Sequence, residues 1–244
     1  MRLESCLKMP EITKGVLIKK VNLAGSYWLF SLEFTAVFSF LSGQYVSIKV
    51  ADDGSRRSYS IASAPGGKVI EMLVDVGPMG LGSKFFLSLT EGDAVEVMGP
   101  MGIFILATEK VMNNKMFIAT GSGIAPMMSM IGDLLKNKKH VGEIKLVWGM
   151  RHEEDLFWMD EWKKLKEGFP NFSYEVVLSK PGEHWHGSCG HVGDCLREGF
   201  IVNVASLSGW EFYLCGGQEM IRETGGYLVG KGVAKEDIHF EKFF

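Results

Sequence analysis

The feature that most constrains the fold of this 244-residue chain is a change in its hydrophobic period near residue 110. Before that point, short β-prone runs are separated by turn signals such as Asp52-Asp53-Gly54 and Glu91-Gly92-Asp93. Strands at this spacing are typical of an antiparallel sandwich or small barrel. One helix is predicted in this half, over Gly82–Leu89. The predicted strands are Val16–Val21, Trp28–Phe34, Tyr45–Val50, Ser58–Ile61, Val69–Val76 and Ala94–Met98.

The second half alternates apolar strands with helical patterns, which predicts a doubly wound α/β domain with a parallel sheet. We therefore expect two domains, residues 1–108 and 109–244. The predicted strands are Met116–Thr120, Ile144–Trp148, Phe172–Leu178, Trp210–Cys215 and Ile238–Glu241. The predicted helices are Ala125–Lys136, Asp155–Glu167, Val192–Glu198 and Gln218–Gly230.

Charge and composition exclude several classes of protein. The net charge of −3, from 26 basic and 29 acidic side chains, lacks the basic excess of a nucleic-acid-binding protein. Met116–Gly132 is shorter than the ~20 apolar residues of a membrane span and is interrupted by glycines and a proline. The N-terminus has no signal-peptide core. Four scattered cysteines do not make a disulfide scaffold, so we expect a cytoplasmic protein.

The sequence Met116–Met128, MFIATGSGIAPMM, carries an apolar strand into Gly121-Ser122-Gly123 and then into a helix with Pro126 near its start. Backbone N–H groups at such a helix start form an anion site suited to a pyrophosphate. The motif reads G-x-G-x-x-P rather than the dinucleotide fingerprint G-x-G-x-x-G. From these residues alone, a ligand-binding turn and a plain strand–helix turn are both open.

Two motifs in the first half suit a flavin nucleotide. In Arg57-Ser58-Tyr59-Ser60, a guanidinium can bind phosphate oxygens and an aromatic face can stack on a flat ring. The alternative is an ordinary edge strand with polar residues outward. Gly80-Leu81-Gly82-Ser83 opens the predicted helix, where it suits a phosphate or is simply a turn with a serine N-cap.

Tyr213-Leu214-Cys215-Gly216-Gly217 ends the last long strand of the second half. Ligands of doubly wound sheets bind beyond the carboxyl ends of the strands, where Cys215 is expected to lie. The alternative is a cysteine that acts only as a small buried side chain.

Taken in order, R-x-Y-S, G-x-x-S, T-G-x-G-x-A-P, C-G and a terminal E-K-F make the chain resemble the ferredoxin–NADP reductase superfamily over residues 12–244. It is similar to the reductase parts of ring-hydroxylating oxygenases, phenol hydroxylase and flavohaemoglobin. The resemblance implies a flavin-binding antiparallel β-barrel followed by a nicotinamide-dinucleotide domain. It implies electron transfer between NAD(P)H and a one-electron carrier, with hydride passing to FAD.

The resemblance also assigns roles by position. Ser60, Cys215 and Glu241 are the implied catalytic residues. The implied flavin-binding residues are Arg57, Ser58, Tyr59, Ser60, Val74, Gly80, Leu81, Gly82, Ser83, Thr120, Phe243 and Phe244. The implied NAD(P)-binding residues are Gly121, Gly123, Ile124, Pro126, Arg151, Ser179, Lys180, Cys215 and Gly216.

Cofactor and partner follow from the same resemblance. FAD is favoured over FMN, and NADH over NADPH, although Lys180 or Arg151 could bind a 2′-phosphate. Because no four-cysteine cluster occurs, the ferredoxin-like, other iron–sulfur or haem partner is expected to be a separate protein. The alternative function is an electron-transfer or adaptor subunit with little activity of its own. No metal site is expected, since the competing zinc interpretation of His184–Cys195 lacks a standard spacing and loop histidines are favoured.

Overall fold

The computed structural model describes residues 9–107, 113–197 and 207–243. The predicted boundary between residues 108 and 109, the helix end at Glu198, Cys6 and Phe244 lie outside the described residues. The chain divides into two compact units. The first comprises the residues up to Leu106 with Met128–Asp133, and the second comprises Ala107–Met127 and the residues from Leu134 onward.

The first unit is an antiparallel six-stranded sheet with strand order β4-β3-β6-β1-β2-β5. A bridge between Ile61 and Met72 links the two edge strands, which closes the sheet into the expected barrel. A single helix, α1 (Leu81–Ser88), follows β5. The strands are β1 (Glu11–Ala24), β2 (Tyr27–Glu33), β3 (Tyr45–Lys49), β4 (Arg56–Ser60), β5 (Val69–Asp75) and β6 (Ala94–Met101).

A core shared by the strands explains why these runs form a barrel. Along β2 and β5, apolar residues such as Phe30, Leu32 and Met72 are fully buried in one continuous core. Phe86 of α1 enters the same core, so the helix is anchored on the barrel by its aromatic side chain. β1 is longer than predicted because its first half, Glu11–Val16, pairs with β6 and its second half, Val16–Ala24, pairs with β2.

The second unit contains a parallel six-stranded sheet with helices, so the predicted doubly wound domain is confirmed. The strand order is β10-β9-β8-β7-β11-β12. The strands are β7 (Asn114–Thr120), β8 (Ile144–Met150), β9 (Phe172–Leu178), β10 (Ser188–Cys189), β11 (Trp210–Gly216) and β12 (Ile238–Lys242). The helices are α2 (Ile124–Gly132), whose residues from Met128 onward are grouped with the first unit, α3 (Met159–Gly168), α4 (Val192–Cys195) and α5 (Gln218–Gly230).

Two helices of this unit differ from the sequence prediction. The helix expected from Asp155 begins only at Met159, because Trp158 has a left-handed backbone with φ of 57° and a separate 3₁₀ turn covers Glu153–Asp155. The helix expected over Ala125–Lys136 changes after Gly132 into a single π-helical turn. No helix in the described part of the chain is both long and apolar enough to cross a bilayer.

A buried ion pair lies where three strands of this sheet, β7, β11 and β12, run side by side. Lys115 of β7 and Glu211 of β11 form an ion pair with 1% exposed side chains, and His239 Nε2 of β12 lies 3.6 Å from Glu211 Oε1. Burial alone would raise the pKa of Glu211, but His239 and Lys115 outweigh it and hold this pKa below its ordinary value. The stability from this carboxylate is therefore present above its unfolded pKa, about 4.3, and is lost as the pH falls through the folded value.

We predict that Lys115→Met lowers the free energy of unfolding by about 3–5 kcal/mol, because it leaves the Glu211 carboxylate buried without its ammonium partner. The double variant Lys115→Met with Glu211→Leu should recover most of that loss, since an apolar pair needs no compensating charge. Urea unfolding at neutral pH measures both. Equal destabilisation of the single and double variants would contradict the assignment of the loss to an unpaired charge.

Candidate functional site

In the first unit, two neighbouring arginines of β4 make different contacts. Arg56 forms an ion pair with Glu96 at 2.7 Å and donates to the Ser47 carbonyl at 3.0 Å, so it ties β4 to the barrel. Arg57 is exposed, and its Nη1 donates to the Arg56 carbonyl at 2.7 Å. Alternation along the strand therefore leaves the guanidinium of Arg57 on the surface, where it can meet an anion.

The start of α1 lies directly against β4. A Cβ at Gly82 would collide with Tyr59 Oη and would come within 3.3 Å of Arg57 Cγ. The ring of Tyr59 packs edge-on against Phe86, with centroids 4.8 Å apart, and burial raises the Tyr59 pKa to about 12. The fold thus brings together the two flavin motifs, which are some twenty residues apart in the sequence.

The N-terminus of α1 presents backbone donors. Gly80 is the N-cap without a side-chain cap, and the first helical bond runs from Lys84 N to Gly80 O at 3.0 Å. The N–H groups of Leu81, Gly82 and Ser83 therefore precede the intrahelical ladder. The alternative of a serine N-cap is wrong, because Ser83 lies inside the first turn. With no acidic side chain in that turn, the site suits a phosphate.

The other flavin-side residues differ in their access. Ser58 is exposed on β4, and Ser60 is 5% exposed at the end of that strand, in register with Tyr45 of β3. Val74 is 1% exposed within the barrel core, so the structure does not bring its side chain to the surface formed by Arg57 and α1.

In the second unit, the functional residues meet where β7 and β11 end. These parallel strands pair in register up to Ala119 and Cys215. The chain turns at Gly121, which has φ of +54° and whose carbonyl accepts from Trp148 Nε1 at 3.1 Å. A Cβ at Gly123 would collide with the Cys215 carbonyl, so the start of α2 approaches β11 at a distance that only glycine permits.

Thr120 links the two strand ends. Its Oγ1 accepts a hydrogen bond from Gly217 N at 3.4 Å and occupies the space that a Cβ on Gly216 would need. Gly216 has φ of +146°, and its carbonyl accepts from Phe243 N at 3.0 Å. This is also the topological switch of the sheet, because β7 is followed by β8 on one side while β11 lies on the other. Such a position is the usual ligand crevice of a doubly wound fold.

Cys215 and Glu241 are register partners on β11 and β12. Cys215 is fully buried, and burial together with the nearby Glu241 carboxylate raises the pKa of its thiol well above the ordinary value. Cys215 is therefore a neutral thiol at physiological pH. Glu241 and Phe243 are half-buried beside it.

Two cations lie at the same edge of the sheet, after the neighbouring strands. Arg151 follows β8 and Lys180 follows β9, and both side chains are exposed. The two segments are joined by backbone bonds from Ser179 N to Met150 O at 3.0 Å and from Lys180 N to Arg151 O at 2.9 Å. The acidic turn Glu153–Asp155 follows immediately, so the cations lie in a mixed-charge surface.

The remaining predicted residues, Ile124 and Pro126, are buried in the first turn of α2. Sequence reasoning missed two residues that hold the site: Phe86, which supports Tyr59, and Trp148, which fixes the Gly121 turn. An aromatic residue four or five positions after a glycine-rich helix start was the available signal for Phe86. No local pattern connects Trp148 with Gly121.

The histidine- and cysteine-rich segment His184–Cys195 is the one for which a zinc site was the competing interpretation. His184, His186, Cys189 and His191 are exposed, and Ser188–Cys189 forms a short strand beside β9. Among the residues that the structure describes, no three His, Cys, Asp or Glu side chains are grouped as metal ligands.

Family models match both units. The oxidoreductase FAD-binding domain matches residues 14–105, and the oxidoreductase NAD-binding domain matches residues 117–225. Fold and site thus define a chain that carries a FAD-binding domain and an NAD-binding domain of the oxidoreductase type. The chain belongs to the ferredoxin–NADP reductase-like family, in which the flavin domain precedes the nicotinamide-dinucleotide domain.

Curated relatives are longer than this chain. It is 35% identical over 212 residues to one subunit of the Na⁺-translocating NADH-quinone reductase of Neisseria meningitidis, covering 82% of this chain and 51% of the relative. It is 30% identical over 213 residues to the toluate 1,2-dioxygenase electron transfer component of Pseudomonas putida, covering 84% and 59%. The chain therefore spans between half and three fifths of these relatives.

Solved structures agree on the fold. A cytochrome P450 reductase from Amycolatopsis superimposes with a TM-score of 0.85 at 27% identity, covering 96% of this chain and 71% of that one. The flavohaem-like FAD/NAD-binding domain of a nitric oxide dioxygenase from Vibrio cholerae gives a TM-score of 0.81 at 21% identity, covering 94% and 98%.

We predict that Gly82→Ala destabilises the flavin-free protein, because its methyl group collides with the Tyr59 hydroxyl. Tyr59→Phe removes that hydroxyl, so adding Gly82→Ala to Tyr59→Phe should be neutral or stabilising by up to ~1 kcal/mol through helix propensity. Thermal unfolding of the four flavin-free proteins measures the coupling. A penalty for Gly82→Ala that is the same in both backgrounds would refute this contact.

Proposed function

We propose that the protein takes electrons from NADH as a hydride, holds them on FAD and passes them singly to a separate iron–sulfur or haem carrier. When bound, flavin supplies the two-electron chemistry that joins nicotinamide to such one-electron carriers. The observation that carries the proposal is the pair of glycine-dependent helix starts. One lies beside Arg57 and Tyr59, and the other lies beside Cys215.

The flavin-side residues fit the phosphate end of the cofactor. Arg57 would bind phosphate oxygens together with the N–H groups of Leu81–Ser83, in a place where no acidic first-turn residue opposes a negative charge. Tyr59, fixed by Phe86 and Gly82, would offer its ring as a packing surface. Ser60 would hydrogen-bond the reactive edge of the ring, where charge develops during reduction.

The second unit would bind and orient the nicotinamide nucleotide. The start of α2 and the Thr120–Gly217 contact would form the floor of the dinucleotide site. The neutral thiol of Cys215 would pack beside the nicotinamide without adding charge. Glu241 would hold or move a proton at its carboxylate near this place. Orientation matters because hydride transfer needs reacting atoms about 3–3.5 Å apart.

NADH is the proposed donor because the cations near the expected ribose are balanced by acids. The segments of Arg151 and Lys180 are joined by a backbone bond, and the acidic turn Glu153–Asp155 begins two residues after Arg151, where it would disfavour an added 2′-phosphate. The Neisseria relative is an NADH-quinone reductase by name, which supports the same choice.

The proposed acceptor is outside these 244 residues. Their four cysteines lie far from any cluster-binding pattern, and a relative is named as an electron transfer component of a dioxygenase. We also propose a cytoplasmic location, since Cys189, Cys195 and Cys215 form no disulfide among the described residues.

A second candidate function is an electron-transfer subunit of a larger redox complex that has little activity alone. The names of the Neisseria and Pseudomonas relatives favour this candidate.

Purified protein reconstituted with FAD and mixed anaerobically with NADH should lose its flavin absorbance in a single turnover, and NADPH should react more slowly. Steady turnover with ferricyanide as a one-electron acceptor should follow. Rapid flavin reduction without turnover would favour the subunit alternative. Failure to bind FAD or FMN would contradict the proposed function altogether.

We predict that Ser60→Ala slows single-turnover flavin reduction by about 10²-fold, the lower range for loss of one donor to developing charge, with little change in the Kd for NADH. Ser31→Ala, which removes a buried hydroxyl elsewhere in the barrel, is the matched control and should leave the rate unchanged. An unchanged reduction rate in Ser60→Ala would remove this role from Ser60.

A further inference from the structure

Lys20 joins β1 to the end of α1, across 67 and 69 residues of sequence. Its Nζ donates to the Leu87 carbonyl at 2.6 Å and to the Leu89 carbonyl at 2.9 Å. The ammonium also lies over the rings of Trp28 and Phe30, at 5.6 and 6.0 Å from their centroids. The side chain is half-buried, so these contacts are partly shielded from water.

The C-terminus of α1 depends on this lysine for its cap. The last carbonyls of a helix have no intrahelical partner, and α1 has no basic residue in its last turn. Its C-cap residue, Leu89, is extended rather than the left-handed glycine that often closes a helix. A cation here satisfies two carbonyls and complements the negative end of the helix dipole.

The helix is short enough for its two ends to move together. Its 8 residues span about 12 Å, and the ring of Phe86 lies 4.6 Å from that of Phe30, over which Lys20 is also placed. Lys20 and Phe86 thus fix α1 from its C-terminal end and from its buried face. The free N–H groups are at the other end, beside Arg57.

We propose that Lys20 is a positioning residue for the phosphate end of the flavin. By capping the C-terminus of α1, it holds the N–H groups of Leu81–Ser83 where they bind phosphate oxygens, although Lys20 itself touches no phosphate. The inference rests on the proposed function, because it takes the start of α1 as the phosphate site.

The test compares three flavins on flavin-free protein: FAD and FMN, which carry phosphate, and riboflavin, which does not. Quenching of flavin fluorescence gives each Kd. Lys20→Met keeps the apolar stem but removes the donors and the charge. We expect it to weaken FAD and FMN binding about tenfold, which corresponds to about 1.4 kcal/mol, while riboflavin changes less than about twofold.

Matched variants separate positioning from general effects. Lys20→Arg keeps the charge and donors and should restore most of the FAD affinity. Lys19→Met removes an exposed neighbouring charge on the same strand and should leave all three Kd values unchanged. If Lys20→Met does not fold, Lys20→Gln replaces it. A rise in the ratio of the FMN Kd to the riboflavin Kd then supports the positioning role, and an unchanged ratio contradicts it.

Equal weakening of all three flavins, or no weakening of any, would overturn the positioning role. Failure of the proposed function looks different. In that case the unaltered protein binds no flavin, or binds riboflavin as tightly as FMN, so that its phosphate site itself is absent.

Discussion

Both units depend on one steric constraint: a helix begins so close to a strand that a Cβ on its contact glycine would collide with a group of that strand. In the barrel, Gly82 faces the hydroxyl of Tyr59, and in the parallel sheet, Gly123 faces the carbonyl of Cys215. The close approach places unbonded helix N–H groups beside the polar residues of the strand. Two unrelated architectures therefore build the same kind of corner, and the proposed function assigns one nucleotide to each.

The order of the elements was predictable because hydrophobic period and turn residues are local properties. The barrel, the parallel sheet and the motifs at its strand ends follow from such patterns. What escaped prediction rests on contacts between distant residues. Trp148 binds the Gly121 carbonyl across 27 positions, and Lys20 caps α1 across 67. The start of α3 was also not predicted. It depends on a left-handed backbone at Trp158, and tryptophan rarely adopts that conformation, so nothing in the sequence indicates it.

The site assignments also divide into motifs that the sequence shows locally and contacts that only the fold shows. R-x-Y-S and G-x-x-S are separate strings in the sequence, and only the fold shows that Gly82 and Tyr59 are in contact. Alternation along β4 explains why Arg57, rather than Arg56, is available to a ligand, because Arg56 is paired with Glu96. Val74 was predicted from the resemblance, and the structure buries this residue in the barrel core.

Burial of the Cys215 thiol at the end of β11 also affects how readily this cysteine is oxidised. Oxidants attack the thiolate form of cysteine, and the environment of Cys215 suppresses that form. Proteins that handle reduced flavin work close to a source of peroxide whenever air is present. Cys189, on the surface, is thus the described cysteine most open to such damage, while the buried thiol of Cys215 keeps its proton and is protected.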